Sequence, residues 1–147
     1  MATGTGVSSW TLDHIGIAVS SLDDAISFYE RTLGARLCLR ETIEASGVEL
    51  AFIDTGDSKV ELLAATRSDS AISSFLASRG PGIHHICYRV SDIKGELARL
   101  KGEGFTLIDE APRPGAAHSQ IAFVSPRSFM GVLTELVQPR GGSTLGR

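Results

Sequence analysis

Two histidines and two glutamates stand out because they recur at matching places in the chain. The run Leu12-Asp13-His14-Ile15-Gly16-Ile17-Ala18-Val19 has a counterpart in Ile83-His84-His85-Ile86-Cys87-Tyr88-Arg89-Val90. Each run has a His at its third position, an Ile directly after it and a Val at its end, and each is followed by a Ser, Ser20 or Ser91. Further along each copy, Val60-Glu61-Leu62 lines up with Thr134-Glu135-Leu136. A repeat on this scale indicates one supersecondary unit used twice, with His14 equivalent to His85 and Glu61 to Glu135. Ionisable side chains within apolar strands are costly unless paired or bound to a cation. If the first and last strands of each unit lie side by side, two imidazoles and two carboxylates converge. Two nitrogen and two oxygen donors suit a borderline divalent ion, cobalt, zinc, nickel or manganese, with coordination positions left open. One strand His or Glu alone is ordinarily structural; the coincidence at four repeat-related positions is what points to a metal centre.

The elements that would carry these side chains follow from the hydrophobic pattern. Trp10–Val19 alternates and is rich in Ile and Val, a strand that puts Leu12, His14, Gly16 and Ala18 on one face. Ser20, with Asp23 three residues on, reads as the cap of a helix over 22–33, whose stripe is Leu22, Ala25, Ile26, Tyr29 and Leu33 and whose stop is Gly34. Strands are expected over 35–43 and 48–54, separated by Ala45-Ser46-Gly47. After a hairpin turn at Thr55-Gly56-Asp57-Ser58 comes a fourth strand, 59–64, with Lys59, Glu61 and Leu63 on one face. A short helix over 71–79 bridges to the second copy. There a strand over 83–90, a helix capped by Ser91 and ending near Gly102–Gly104, and strands over 105–109, 120–124 and 132–137 repeat the βαβββ order. Residues 111–118 read as a loop. The expected architecture is α+β, two tandem βαβββ modules (about 10–65 and 83–139) in a single domain over 10–139, forming a curved mixed sheet around a metal cleft. Residues 1–9 and 140–147 read as flexible tails.

Bulk composition narrows the function classes. A chain of 147 residues, 42% hydrophobic and 21% charged, is ordinary for a globular domain. A net charge of −3 with no basic stripe argues against a nucleic-acid partner. No apolar run approaches a membrane span, and the N-terminus lacks the basic start and apolar core of a signal peptide. Cys38 and Cys87 fit no disulfide framework or zinc motif; the expectation is two buried, reduced thiols in a cytoplasmic protein.

These motifs resemble the vicinal oxygen chelate superfamily, which includes glyoxalase I, extradiol dioxygenases and fosfomycin-resistance proteins. Within it the chain more closely resembles the methylmalonyl-CoA epimerase family. The matching stretches are LDHIGIAV (12–19), FYERTLGA (28–35), SKVELLAA (58–65), RGPGIHHI (79–86), DEAPRPGA (109–116) and FVSPRSFMGVLTELVQP (123–139). The resemblance implies metal ligands at His14, His85 and Glu135, with a fourth at Glu61, where some epimerases carry Gln. It implies a divalent ion, cobalt first, an acyl-CoA thioester as partner, and a homodimer. It also implies interconversion of (2R)- and (2S)-methylmalonyl-CoA; α-proton abstraction through a metal-stabilised enolate needs a proton carrier on each face, and the repeat-related carboxylates Glu135 and Glu61 are the expected pair. One departure stands out. Some epimerases carry a Glu, proposed as a catalytic base, three residues after the Gly that enters this 48–54 strand; here Gly47 is followed by Val48, Glu49 and Leu50. Glu49 is one residue off, and a one-residue shift turns a strand side chain to the opposite face, so no catalytic role is transferred to it. Arg113 and Arg127 are candidates for CoA phosphates or the substrate carboxylate, against the reading of plain surface arginines, and His118 reads as a loop residue. The competing readings are another glyoxalase-like isomerase or lyase and a small-molecule-binding module on the same fold.

Overall fold

The computed structural model describes residues 9–142. Its contacts divide the described residues into two compact units, Asp13–Cys87 and residues 88–142 together with 9–12. The boundary therefore falls inside two strands, β1 (Thr11–Ala18) and β5 (Gly82–Arg89).

In the first unit β1 leads into α1 (Leu22–Leu33), then β2 (Arg36–Ile43), β3 (Val48–Asp54), β4 (Lys59–Ala65) and α2 (Ala71–Arg79), and the unit ends in β5. The strand order is β2-β3-β4-β1-β5, with β1 and β4 parallel and the β2–β3 and β3–β4 pairs antiparallel. Leu22 and Ile26 of α1 pack on Ala51, Ile53, Leu62 and Ala64, so one face of the sheet is sealed by the helix. The opposite face carries His14, Gly16 and Ala18 on β1, Glu61 and Leu63 on β4, and Leu50 and Phe52 on β3, as the register Gly16↔Glu61, Ala18↔Leu63, Phe52↔Glu61 and Leu50↔Leu63 requires. Leu12, expected on that face as well, is exposed.

The second unit holds α3 (Ile93–Gly102), a two-residue β6 (Arg113–Pro114), β7 (Gln120–Val124) and β8 (Thr134–Gln138). β8, β7 and β6 are neighbours in that order, and both pairs are antiparallel. Ile93, Leu97 and Leu100 pack on Val90, Ala122, Val124 and Leu136, with Trp10, Tyr88 and Phe129 closing the cluster. The βαβββ order expected of each module is present.

Several boundaries differ from the sequence reading for identifiable reasons. The cap of α1 is Ser21, whose side chain accepts from the Asp24 N–H, and not Ser20; the cap of α3 is Asp92, not Ser91. In both units the ladder ends at a Val, through Val19 N–H to Leu63 O and Val90 N–H to Val137 O, and the capping oxygen belongs to the second residue after it, with Asp92 accepting the Gly95 N–H. The strand expected over 105–109 shrinks to one bridge, Leu107↔Val124. There the Asp109 carboxylate takes the Phe123 N–H, while Ile108 and Asp109 both donate to Phe123 O, so a regular ladder cannot continue. The short pairing appears instead at Arg113–Pro114, inside the expected loop, where Pro114 sits on an edge strand that tolerates it. Cys38 is exposed, contrary to expectation, whereas Cys87 is buried; neither is in a disulfide. Arg140–Gly142, expected as tail, forms a 3-10 turn, and residues 1–8 and 143–147 lie outside the described residues. Among the described residues no helix is long and apolar enough to cross a membrane.

Candidate metal centre and active site

Within the first unit, β1, β4 and β5 bring His14, Glu61 and His85 together. All three are buried. The Nε2 atoms of His14 and His85 lie 3.1 and 3.3 Å from the same carboxylate oxygen, Glu61 Oε1, and 3.4 Å from each other. Two donor atoms each about 2.1 Å from one ion, at right or tetrahedral angles, stand about 3.0–3.4 Å apart. The spacing and the chemistry of this trio therefore fit a divalent cation, and the three side chains belong to a buried group that could hold one. Two imidazole lone pairs crowded on a carboxylate away from water are costly without a positive charge between them, which a bound ion or protons must supply.

The surroundings hold the donors in place. Gly16, the strand partner of Glu61, has no Cβ; one placed there would lie 2.1 Å from Cε1 of His85. The missing side chain is the space into which the second imidazole fits. Phe52, the partner of Glu61 on β3, meets the His14 ring edge-on, with centroids 5.0 Å apart at 87°. Nδ1 of His14 lies 2.7 Å from Oδ2 of Asp13. A proton on Nδ1 donated to that carboxylate leaves Nε2 as the lone-pair donor, the arrangement that orients metal-binding histidines. Nδ1 of His85 is likewise 2.9 Å from Nδ1 of His84, whose ring in turn meets Phe75 edge-on. Asp13 and His84 were missed in the sequence reading, although the signal was present: each immediately precedes the repeat histidine.

Glu135 lies in the second unit. It is buried on β8, and its strand partner on β7 is Phe123. The Phe123↔Glu135 pair repeats Phe52↔Glu61, so the equivalence inferred from sequence extends to register, partner type and burial. The remaining candidates separate clearly. Glu49 is on the helix-covered side of its sheet, 4.0 Å from Arg40, which also pairs with Asp23; Leu50 is buried on the side of Glu61. Arg113 donates to Asp109 at 3.2 Å and lies over the Phe123 ring. Arg127 and His118 are exposed.

Comparison with known proteins agrees with this geometry. Residues 13–123 match the Glyoxalase/Bleomycin resistance protein/Dioxygenase superfamily. A protein of Cereibacter sphaeroides named ethylmalonyl-CoA/methylmalonyl-CoA epimerase is 38% identical over 129 residues, covering 86% of this chain and 96% of its own. The crystal structure of methylmalonyl-CoA epimerase from Mycobacterium tuberculosis is 40% identical, with a TM-score of 0.84 over 88% of this chain and 87% of that one. A methylmalonyl-CoA epimerase in complex with methylmalonyl-CoA and NH4+ is 37% identical, with a TM-score of 0.87 over 92% and 99%. Repeated fold, buried donor trio and these likenesses agree, and the chain belongs to the Glyoxalase/Bleomycin resistance protein/Dioxygenase superfamily, in the family of the methylmalonyl-CoA epimerases.

Proposed function

We propose that this chain interconverts (2R)- and (2S)-methylmalonyl-CoA, with a divalent ion, cobalt first, held by His14, His85, Glu61 and Glu135. The observation that carries the reading is the convergence of two buried imidazole Nε2 atoms on Glu61 Oε1, in a family with named epimerases. Glu135 is proposed as the fourth donor because it is buried and occupies the register position of Glu61. When bound, the cation would act as a Lewis acid toward the thioester and carboxylate oxygens of the substrate. The protein side of the chemistry is then proton management. The α-proton lies between a thioester carbonyl and a carboxylate, and its removal leaves a planar enolate. Inversion needs a proton carrier on each side of that plane. Glu135 and Glu61 are the repeat-related candidates to carry it, while Asp13 and His84 hold the imidazoles in orientation and burial of the trio keeps bulk water away. Coordination to a cation lowers a carboxylate's proton affinity, so the carboxylate that moves the proton must loosen from the ion.

The proposal includes a single domain over 10–139, a homodimer and a cytoplasmic location. The relative's name also favours ethylmalonyl-CoA as a second substrate of the same site. The test is proton NMR in deuterium oxide with metal-stripped and cobalt-reloaded protein. Interconversion of the epimers together with loss of the α-proton signal, dependent on reloading, is the expected result. Turnover of a glutathione hemithioacetal without any exchange on methylmalonyl-CoA would replace it with a glyoxalase-like isomerase.

A further inference from the structure

Two-sided proton transfer makes a demand that Glu61 meets poorly. Its Oε1 lies within 3.3 Å of both imidazoles, so this carboxylate is part of the donor cluster. A second carboxylate stands on the same face of the same sheet. The β2–β3 register runs Arg36↔Asp54 and Leu37↔Ile53, then skips Cys38 and resumes as Leu39↔Phe52, Arg40↔Ala51 and Glu41↔Leu50. The extra residue reverses the facing of everything after it. Without the bulge, Glu41 would sit opposite Glu49, two like charges on the helix-covered side. With it, Arg40 turns to that side to meet Asp23 at 2.6 Å and Glu49 at 4.0 Å. Glu41 turns the other way, level with Leu50 and Leu63 across β3 and β4 and flanked on its own strand by Leu39 and Ile43. It is half-buried in an otherwise apolar row. Bulges beside active sites commonly re-aim one side chain in this manner. With strands about 4.8 Å apart, β2 stands roughly 10 Å from β4, space for an acyl group between Glu41 and the donor cluster.

We infer that Glu41 is the second proton carrier, serving the enolate face opposite the one served from the metal cluster; the inference rests on the epimerase reading above. In one direction the Glu41 carboxylate takes the α-proton as the C–H bond breaks, and the electron pair moves onto the thioester oxygen. A carboxylic acid on the far face then gives its proton to the carbon as the pair returns. The reverse reaction exchanges the two roles, and solvent exchange resets the carriers.

The test uses cobalt-loaded wild type, Glu41→Gln and, as a control on the opposite face of the sheet, Glu49→Gln, with deuterium entry measured separately into each epimer. No exchange in the wild type would overturn the epimerase reading itself, and this inference with it. With an active wild type, Glu41→Gln should lower interconversion at least 100-fold with unchanged metal content. One epimer should still exchange its α-proton within tenfold of the wild-type rate while the other does not. Glu49→Gln should stay within twofold of wild type. Interconversion kept within tenfold in Glu41→Gln, equal loss of exchange from both epimers, or the same loss in Glu49→Gln would each overturn the assignment. If Glu41→Gln folds poorly, Glu41→Asp is read by the same asymmetry: one-sided slowing supports the inference and symmetric slowing overturns it.

Discussion

The Cβ that Gly16 lacks would lie 2.1 Å from the imidazole Cε1 of His85. A strand position beside Glu61 is thereby kept empty so that the ring of β5 can reach Glu61 and the ring of β1. Gly16→Ala should displace His85, lowering metal affinity at least tenfold and epimerisation about 100-fold, in the range seen when residues supporting a metal ligand are lost. Far-UV circular dichroism should stay unchanged. Metal titration and NMR exchange check the expectation; wild-type affinity in Gly16→Ala would show that His85 needs no such space.

Asp13 should act through His14. Its carboxylate at 2.7 Å from Nδ1 fixes the tautomer that leaves Nε2 for the metal. Asp13→Asn keeps the shape and removes the charge, with an expected 10–100-fold loss of metal affinity. Calorimetric titration measures it, and excess metal should restore most of the lost activity. A loss of activity that excess metal leaves untouched would give Asp13 another role.

Glu135→Gln should abolish exchange of the α-proton with solvent deuterium in at least one epimer, while overall stability changes little because the amide matches the carboxylate in size. Retained exchange from both epimers would remove Glu135 from proton transfer.

Away from the site, the hairpin between β3 and β4 gives a pH signature. The Asp54 carboxyl is held below its usual range, first by the Gly56 N–H at 2.8 Å and then by the Arg36 guanidinium at 3.0 Å. A carboxyl whose folded pKa is depressed adds stability above its unfolded pKa, and that stability is lost as pH falls through the folded value. Asp54→Asn should therefore melt below wild type at neutral pH, with the difference closing below about pH 4. A difference that stays constant down to pH 3 would contradict this.

Much of this was legible in the chain because period-2 and period-3.6 patterns are strong where one face is buried. The bounds expected for α1, α2, β3 and β7 agree with the structure. The repeat made Glu61 and Glu135 equivalent from sequence alone, and the structure adds that each sits opposite a phenylalanine on the neighbouring strand. What remained hidden depended on single hydrogen bonds. The helix caps differ because the side chains of Ser21 and Asp92 accept first-turn N–H groups. The strand over 105–109 failed because the Asp109 side chain captured a backbone donor. The bulge at Cys38 leaves no mark in the alternation Leu37, Leu39, Glu41, Ile43, yet it decides which face Glu41 joins. The roles of Asp13 and His84 likewise depend on ring orientation, which residue order does not encode.

The most direct measurement is cobalt binding to the metal-stripped chain, followed by calorimetry and by X-ray absorption at the cobalt edge. The account predicts one ion per chain with two imidazole nitrogens in its coordination sphere, and loss of that binding in both His14→Ala and His85→Ala. Absence of binding to the wild-type chain, or binding unchanged in those two variants, would contradict it.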